Sequence, residues 1–282
     1  MRQRLTLGAA VLVVCAAAVG AGLIGATTIA SADPTYAPIC GSDEPTAGTA
    51  LSGHYRNLTV HGIAYVASGS TLDVSGNLRL AAGACLDAFS VGTVHVGRDV
   101  TVDPRATLAL GCAPGSNGPP PIEPCEFTST DDTVGGSIIA FAPQTMYLTA
   151  VTVGRNVVSV GGGFSTPGLS FPVKNMNIGG DLVLLGWHGG QGAWIGALRN
   201  TVHGNLVVAF NKGFRPGDDN NPPNDSTEVD GNTVDGNLVC LGNTPPAQYG
   251  DAYDPSIGNG PNTVGGRAIG ECRDLTVPPA TS

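Results

Sequence analysis

Asn200-Thr201-Val202-His203-Gly204-Asn205-Leu206 and Asn232-Thr233-Val234-Asp235-Gly236-Asn237-Leu238 are two copies of one unit, and Asn262-Thr263-Val264-Gly265-Gly266 opens a third. Weaker copies start at His54, Val74, Val96, Val134, Val153 and Ile178, which with Val202, Val234 and Val264 makes nine. The columns of this repeat can be read in frame. Two residues after each start stands Gly in six copies and Arg in three. The next column is Asn57, Asn77, Asp99, Ser137, Asn156, Asp181, Asn205, Asn237 and Arg267, and the one after it is apolar from Leu58 to Ala268. Gly, then Asn or Asp, then alternating aliphatic residues describes a bend running into a strand.

The shortest start-to-start spacings are 19, 20 and 22 residues, which suits one turn of a coiled β-solenoid. The expected fold is all-β: a right-handed parallel β-solenoid, or β-helix, of about nine rungs. Longer spacings predict insertions near 111–131, 161–176, 186–198, 211–229 and 241–260. No linker splits the chain, so residues 33–282 read as one domain. A β-sandwich also has short regular strands, but it does not need one Asn/Asp column in one frame. Stacked coils bring equivalent residues about 4.8 Å apart. The Asn/Asp column is therefore expected to bond backbone amides of neighbouring coils that would otherwise be unpaired. It is too neutral to be a row of ligand carboxylates.

Composition agrees. Of 282 residues 42 are Gly and 21 Pro, without the three-residue Gly period of collagen. Gly and Pro are the poorest helix formers, while 41% apolar residues exclude a disordered tail. Arg2 and Arg4, the uncharged apolar run 5–30, and Ala30-Ser31-Ala32 read as a secretory signal cut after Ala32. An uncleaved anchor is the rival reading. Cleavage leaves 282 − 32 = 250 residues and moves the net charge from −9 to −11 by removing two Arg. Nucleic acid and anionic lipid are poor partners for that balance. The expected location is extracellular or at the cell surface, with no membrane span after cleavage.

Six Cys follow the signal: Cys40, Cys85, Cys112, Cys125, Cys240 and Cys272. An even number in an exported chain implies three disulfides. Fifteen pairings exist for six Cys; proximity favours Cys112–Cys125 and Cys240–Cys272, leaving Cys40–Cys85. The first and last of these along the chain would clamp the two ends of the solenoid, whose raw edges need covering.

The Asn-Thr-Val-x-Gly units and the Cys240…Cys272 ending, over residues 40–272, resemble a family of uncharacterised exported β-solenoid proteins of actinobacteria. That resemblance implies a secreted repeat protein and carries no activity with it. The stretch Val96-Gly97-Arg98-Asp99-Val100-Thr101-Val102 is similar to coils of bactofilins, which are polymer-forming β-helices. This second resemblance implies self-association as one partner class.

Chemistry is sparse. A polysaccharide lyase or glycosidase on such a fold needs acids or bases on an outer strand face. The outward column Thr59, Arg79, Thr101, Ile139, Val158, Val183, Val207, Val239 and Ile269 has no carboxylate, so a catalytic site would have to be built from loops. Asp218, Asp219, Asp225 and Glu228 carry oxygens suited to calcium, in an order that matches neither an EF-hand nor the Gly-rich nonapeptide repeat; a solvated acidic loop is the plainer reading. Otherwise no cofactor is expected. Trp187, His188 and Trp194 cluster in a Gly-rich stretch where two indoles would suit a sugar ring, the mark of a carbohydrate-binding module, or cover apolar surface.

The outward column changes character along the chain. It is polar at Thr59, Arg79 and Thr101, then aliphatic at Ile139, Val158, Val183, Val207, Val239 and Ile269. Such a stripe is expected to be covered, by the insertions or by another molecule. The function expected from the sequence is a non-enzymatic structural or surface-binding solenoid of the bacterial cell envelope, its partner a second copy, an envelope component or a polysaccharide.

Overall fold

The structure is a computed structural model that describes residues 35–36, 40, 47–67, 69–89, 92–111, 131–167, 169–213, 227–250 and 259–278. They form a parallel β-solenoid. Each full coil contributes one strand to each of three stacked sheets, and each sheet holds nine strands. Sheet I runs from Gly53–Tyr55 to Thr263–Val264, sheet II from Leu58–Val60 to Ala268–Gly270, and sheet III from Thr35–Tyr36 to Thr227–Asp230. Every strand pairing is parallel except that of Thr35–Tyr36 with Ala47–Ala50, which is antiparallel and lies at the first edge of sheet III.

Alternation decides what lies inside. Leu78, Val100, Ile138, Val157, Leu182, Leu206 and Leu238 point inward from sheet II and are fully buried. Val74, Val96, Val134, Val153, Ile178, Val202 and Val234 do the same from sheet I. Phe171, Met146 and Trp187 fill the later coils, with Phe171 edge-on to Trp187 at 5.5 Å.

The repeat's columns have a direct physical cause. The side-chain oxygen of each member of the Asn57-to-Asn237 column accepts the backbone N–H of the equivalent residue one coil later. The steps include Asn77 N to Asn57 Oδ1 at 2.9 Å, Asp181 N to Asn156 Oδ1 at 2.8 Å and Arg267 N to Asn237 Oδ1 at 3.0 Å. The chain of bonds is unbroken over all nine coils. The preceding Gly makes room for it. A Cβ at Gly180 would lie 2.2 Å from Asn156 Oδ1, and one at Gly204 would lie 2.3 Å from Asp181 Oδ1. The three Arg exceptions fit this. Arg56 is in the first coil, and Arg155 follows the shorter Ser137, whose Oγ reaches Asn156 N at 3.3 Å. Arg98 follows Asn77, where the ladder bond stretches to 3.2 Å.

Two further ladders run in the opposite sense. Asn200, Asn232 and Asn262 each accept the N–H of the coil before, and Asn262 Nδ2 donates to Leu275 O in the terminal cap. Asn211 and Asn243 repeat the pattern and end on Glu271, whose carboxylate accepts from Asn243 N, Asn243 Nδ2 and Ala247 N. The cap itself is a 3-10 helix, Glu271–Thr276, held by the Cys240–Cys272 disulfide; Cys40–Cys85 ties the N-terminal segment to sheet III. Cys112 and Cys125 lie outside the described residues.

The sequence-based placement of the insertions needs correction. The stretches 161–176 and 186–198 contain the sheet III strands Ser170–Lys174 and Trp194–Leu198, and 211–229 runs into the strand Thr227–Asp230. The first coil is also one residue shorter between sheets I and II: Tyr55, not His54, pairs with Val74, while Leu58 pairs with Leu78.

Candidate functional site

The three outer faces differ in chemistry. Sheet I presents Thr133, Thr152, Asn177, Thr201, Thr233 and Thr263, all exposed. Cross-coil pairs add to it: His54–Asp73 at 2.9 Å between its first two strands, and His203–Asp235 at 2.8 Å just beyond later ones. This face is polar and hydrated.

The outer face of sheet III is largely buried, with Tyr147, Ser170 and Lys174 half-buried. Thr145, Thr149, Leu198, Glu228 and Asp230 point away from the core yet are at most 5% exposed. The Trp194 indole lies across Gly196, where a Cβ would sit 2.3 Å from the ring, and Lys174 Nζ is 5.2 Å from its centre. Asp230 is fully buried and neither carboxylate oxygen makes a hydrogen bond. Burial pushes its pKa up to about 7, against the pull of Arg199 and Lys174. Asp132 shows the same effect: burial raises it to about 6, although its carboxylate accepts the Val94 amide at 2.7 Å. Burial holds both above the usual carboxylate range because charge is costly without water.

These positions revise the candidate residues. Glu228 belongs to a buried strand rather than a solvated loop; Asp218, Asp219 and Asp225 lie outside the described residues. Among the described residues no group of three or more His, Cys, Asp or Glu is placed to hold a metal. The Trp187, His188, Trp194 cluster is pulled apart. Trp187 is 1% exposed and donates to Gln144 O at 3.2 Å inside the solenoid, His188 is exposed, and Trp194 is on the outer face of sheet III. The alternation Thr227-Glu228-Val229-Asp230 was the signal for a strand with two carboxylates on one side.

The outer face of sheet II is the one bare apolar surface among the described faces. Ile139, Val158, Val183, Val207, Val239 and Ile269 stand in one register-matched row. None is fully buried: five are half-buried and Ile269 is exposed. A second row, Phe141, Val160, Leu185, Ala209 and Leu241, runs beside it over five coils; Val160 and Leu185 are half-buried and Ala209 is buried. Phe141 is 50% and Leu241 41% exposed, and the neighbouring Phe210 is 59% exposed. No polar side chain points outward from these six strands, because Ser159 faces the core. Six coils at about 4.8 Å and four residues at about 3.3 Å make a patch roughly 24 Å by 13 Å, about 300 Å² in projection. That is on the scale of the largest apolar patches of monomeric proteins, which are often functional.

Comparison with protein-family models, with curated proteins and with solved structures finds no match.

Proposed function

We propose that this chain is an exported, non-enzymatic structural solenoid of the bacterial cell envelope that works by association through the outer face of sheet II. The observation that carries this reading is the change along that face, from Thr59, Arg79 and Thr101 to six coils with no outward polar group. The two disulfides support an oxidising compartment. Two carboxylates of this part of the chain, Glu228 and Asp230, are 3% and 0% exposed and so withdrawn from a polymeric substrate. The ladders and end clamps suit a rigid scaffold rather than a moving active site.

The test is co-sedimentation of the purified, oxidised protein with isolated envelope of the source bacterium, alongside a panel of envelope and plant polysaccharides. Retention with the envelope fraction, without turnover of any polysaccharide, is expected. Val207→Asp should remove most of the bound fraction, and Thr201→Asp on the polar face should not. Turnover of any polysaccharide, and above all turnover abolished by changing Asp218, Asp219 or Asp225, would overturn the reading in favour of an enzyme.

A further inference from the structure

We infer that the sheet II face of the last six coils docks against the same face of a second copy of this chain, across a two-fold axis, with the two solenoids antiparallel. The inference rests on the reading of that face as the binding surface and names its occupant.

Chemistry selects among occupants. A polysaccharide is recognised through hydrogen bonds as well as apolar contact, and this face offers no outward polar side chain over six strands. A second copy offers what the face lacks a match for elsewhere: an apolar surface of the same length. Its ridges recur at the same coil spacing, so they can seat in the grooves between coils. A two-fold interface is self-complementary by construction, and two-fold dimers are the commonest oligomers.

The polarity gradient sets the direction. In an antiparallel pair the fourth coil of one chain faces the ninth of the other, and the axis passes between Val183 and Val207. The first three coils of each chain then project beyond the contact, where Thr59, Thr101 and the Arg79–Asp103 ion pair at 2.7 Å stay in water. A parallel pair would bring Arg79 against its own copy and bury both guanidinium groups.

Area sets the strength. The apolar core of about 300 Å² in projection, extended by the Asn156-to-Asn237 ladder along one rim and Phe210 along the other, falls below the roughly 800 Å² per partner of a specific stable complex. A weak, concentration-dependent dimer is the expected outcome.

The experiment is sedimentation equilibrium of the oxidised full chain after signal removal, from low micromolar to near-millimolar concentration. The mass should rise from one chain toward two. Val207→Thr keeps size and neutrality, and Leu241→Thr shortens a 41% exposed side chain without adding charge, so both should melt near the wild type yet weaken association about tenfold or more. Val183→Asp should abolish it, and Thr201→Asp should leave it unchanged. A mass of one chain throughout, or a dimer indifferent to Val207→Thr and Leu241→Thr, refutes the inference. An apolar dye separates the two levels of the argument. If the monomer binds the dye, and less so in the variants, the bare face survives while the second copy is refuted. If it binds no dye, both fail. Pull-down of a persistently single-chain protein by neutral phosphatidylcholine vesicles would assign the face to lipid instead.

Discussion

Replacing Asn232 by Ala should cost far more stability than the same change at Asn205, although both are ladder residues in copies of one motif. Asn232 is 1% exposed. Its Oδ1 accepts Asn200 N at 3.0 Å and Asn200 Nδ2 at 3.0 Å, and its Nδ2 donates to Ala197 O at 2.8 Å and Asn262 Oδ1 at 2.8 Å. Truncation leaves a buried amide and a buried carbonyl without partners, each costing about 1–3 kcal/mol. A total of roughly 3–5 kcal/mol follows. Asn205 makes comparable bonds, to Asn237 N at 2.9 Å and Asp181 Oδ1 at 3.0 Å, but at a half-buried corner. Water can replace it there, and the cost should be about 1 kcal/mol. Urea unfolding of the oxidised protein measures the difference, with calorimetry checking that the transition is two-state, since repeat arrays can depart from it. If the two variants lose equal stability within about 1 kcal/mol, the buried ladder is not the stronger one and the reasoning is wrong.

Three further outcomes follow from single sites. Asp230 and Asp132 have folded-state pKa values raised to about 7 and about 6, so their contribution is fully present below about pH 4 and is lost as pH rises through those values, by a few kcal/mol each. Asp230→Asn should therefore raise the melting temperature at pH 8 but not at pH 4; equal shifts at both would show that Asp230 is not the titrating group. Gly204→Ala places a Cβ 2.3 Å from Asp181 Oδ1 and should cost about 1–3 kcal/mol, whereas a neutral result in chemical denaturation would show that the glycine column is not set by the ladder. Opening the Cys240–Cys272 pair, 32 residues apart, as the double serine variant should cost about 4 kcal/mol on chain-entropy grounds; an unchanged unfolding midpoint would show that the cap holds without it.

The part of the fold that repeats was legible and the part that does not repeat was hidden. The Asn57-to-Arg267 column kept one frame because every member answers to the same neighbour, the amide of the next coil. Sheet III broke that frame: Ser170–Lys174, Trp194–Leu198 and Thr227–Asp230 share little sequence. Both of their faces are covered, so each strand answers to its own surroundings, and they passed for insertions. The Asn200, Asn232, Asn262 ladder was visible as the Asn before each Thr. The Asn211, Asn243, Glu271 ladder was not, because unequal spacing separates its members from the motif. Trp187 looked like a surface indole among glycines, yet those glycines let coils pack closely around it: a Cβ at Gly189 would lie 2.8 Å from its ring. The apolar row of sheet II was readable from alternation alone; the flanking row of Phe141 and Leu241 needed the register of the strands.

Carbene footprinting with mass spectrometry, run on the oxidised full chain at low and high concentration, asks most directly whether sheet II is a working surface. Phe141, Phe210, Leu241 and Ile269 should be labelled strongly in dilute protein and lose labelling as concentration rises, while Thr201 stays labelled and Phe171 stays protected throughout. Protection of Phe141, Leu241 and Ile269 at the level of Phe171 in the dilute monomer would mean that the chain covers this face itself, and would contradict association through it.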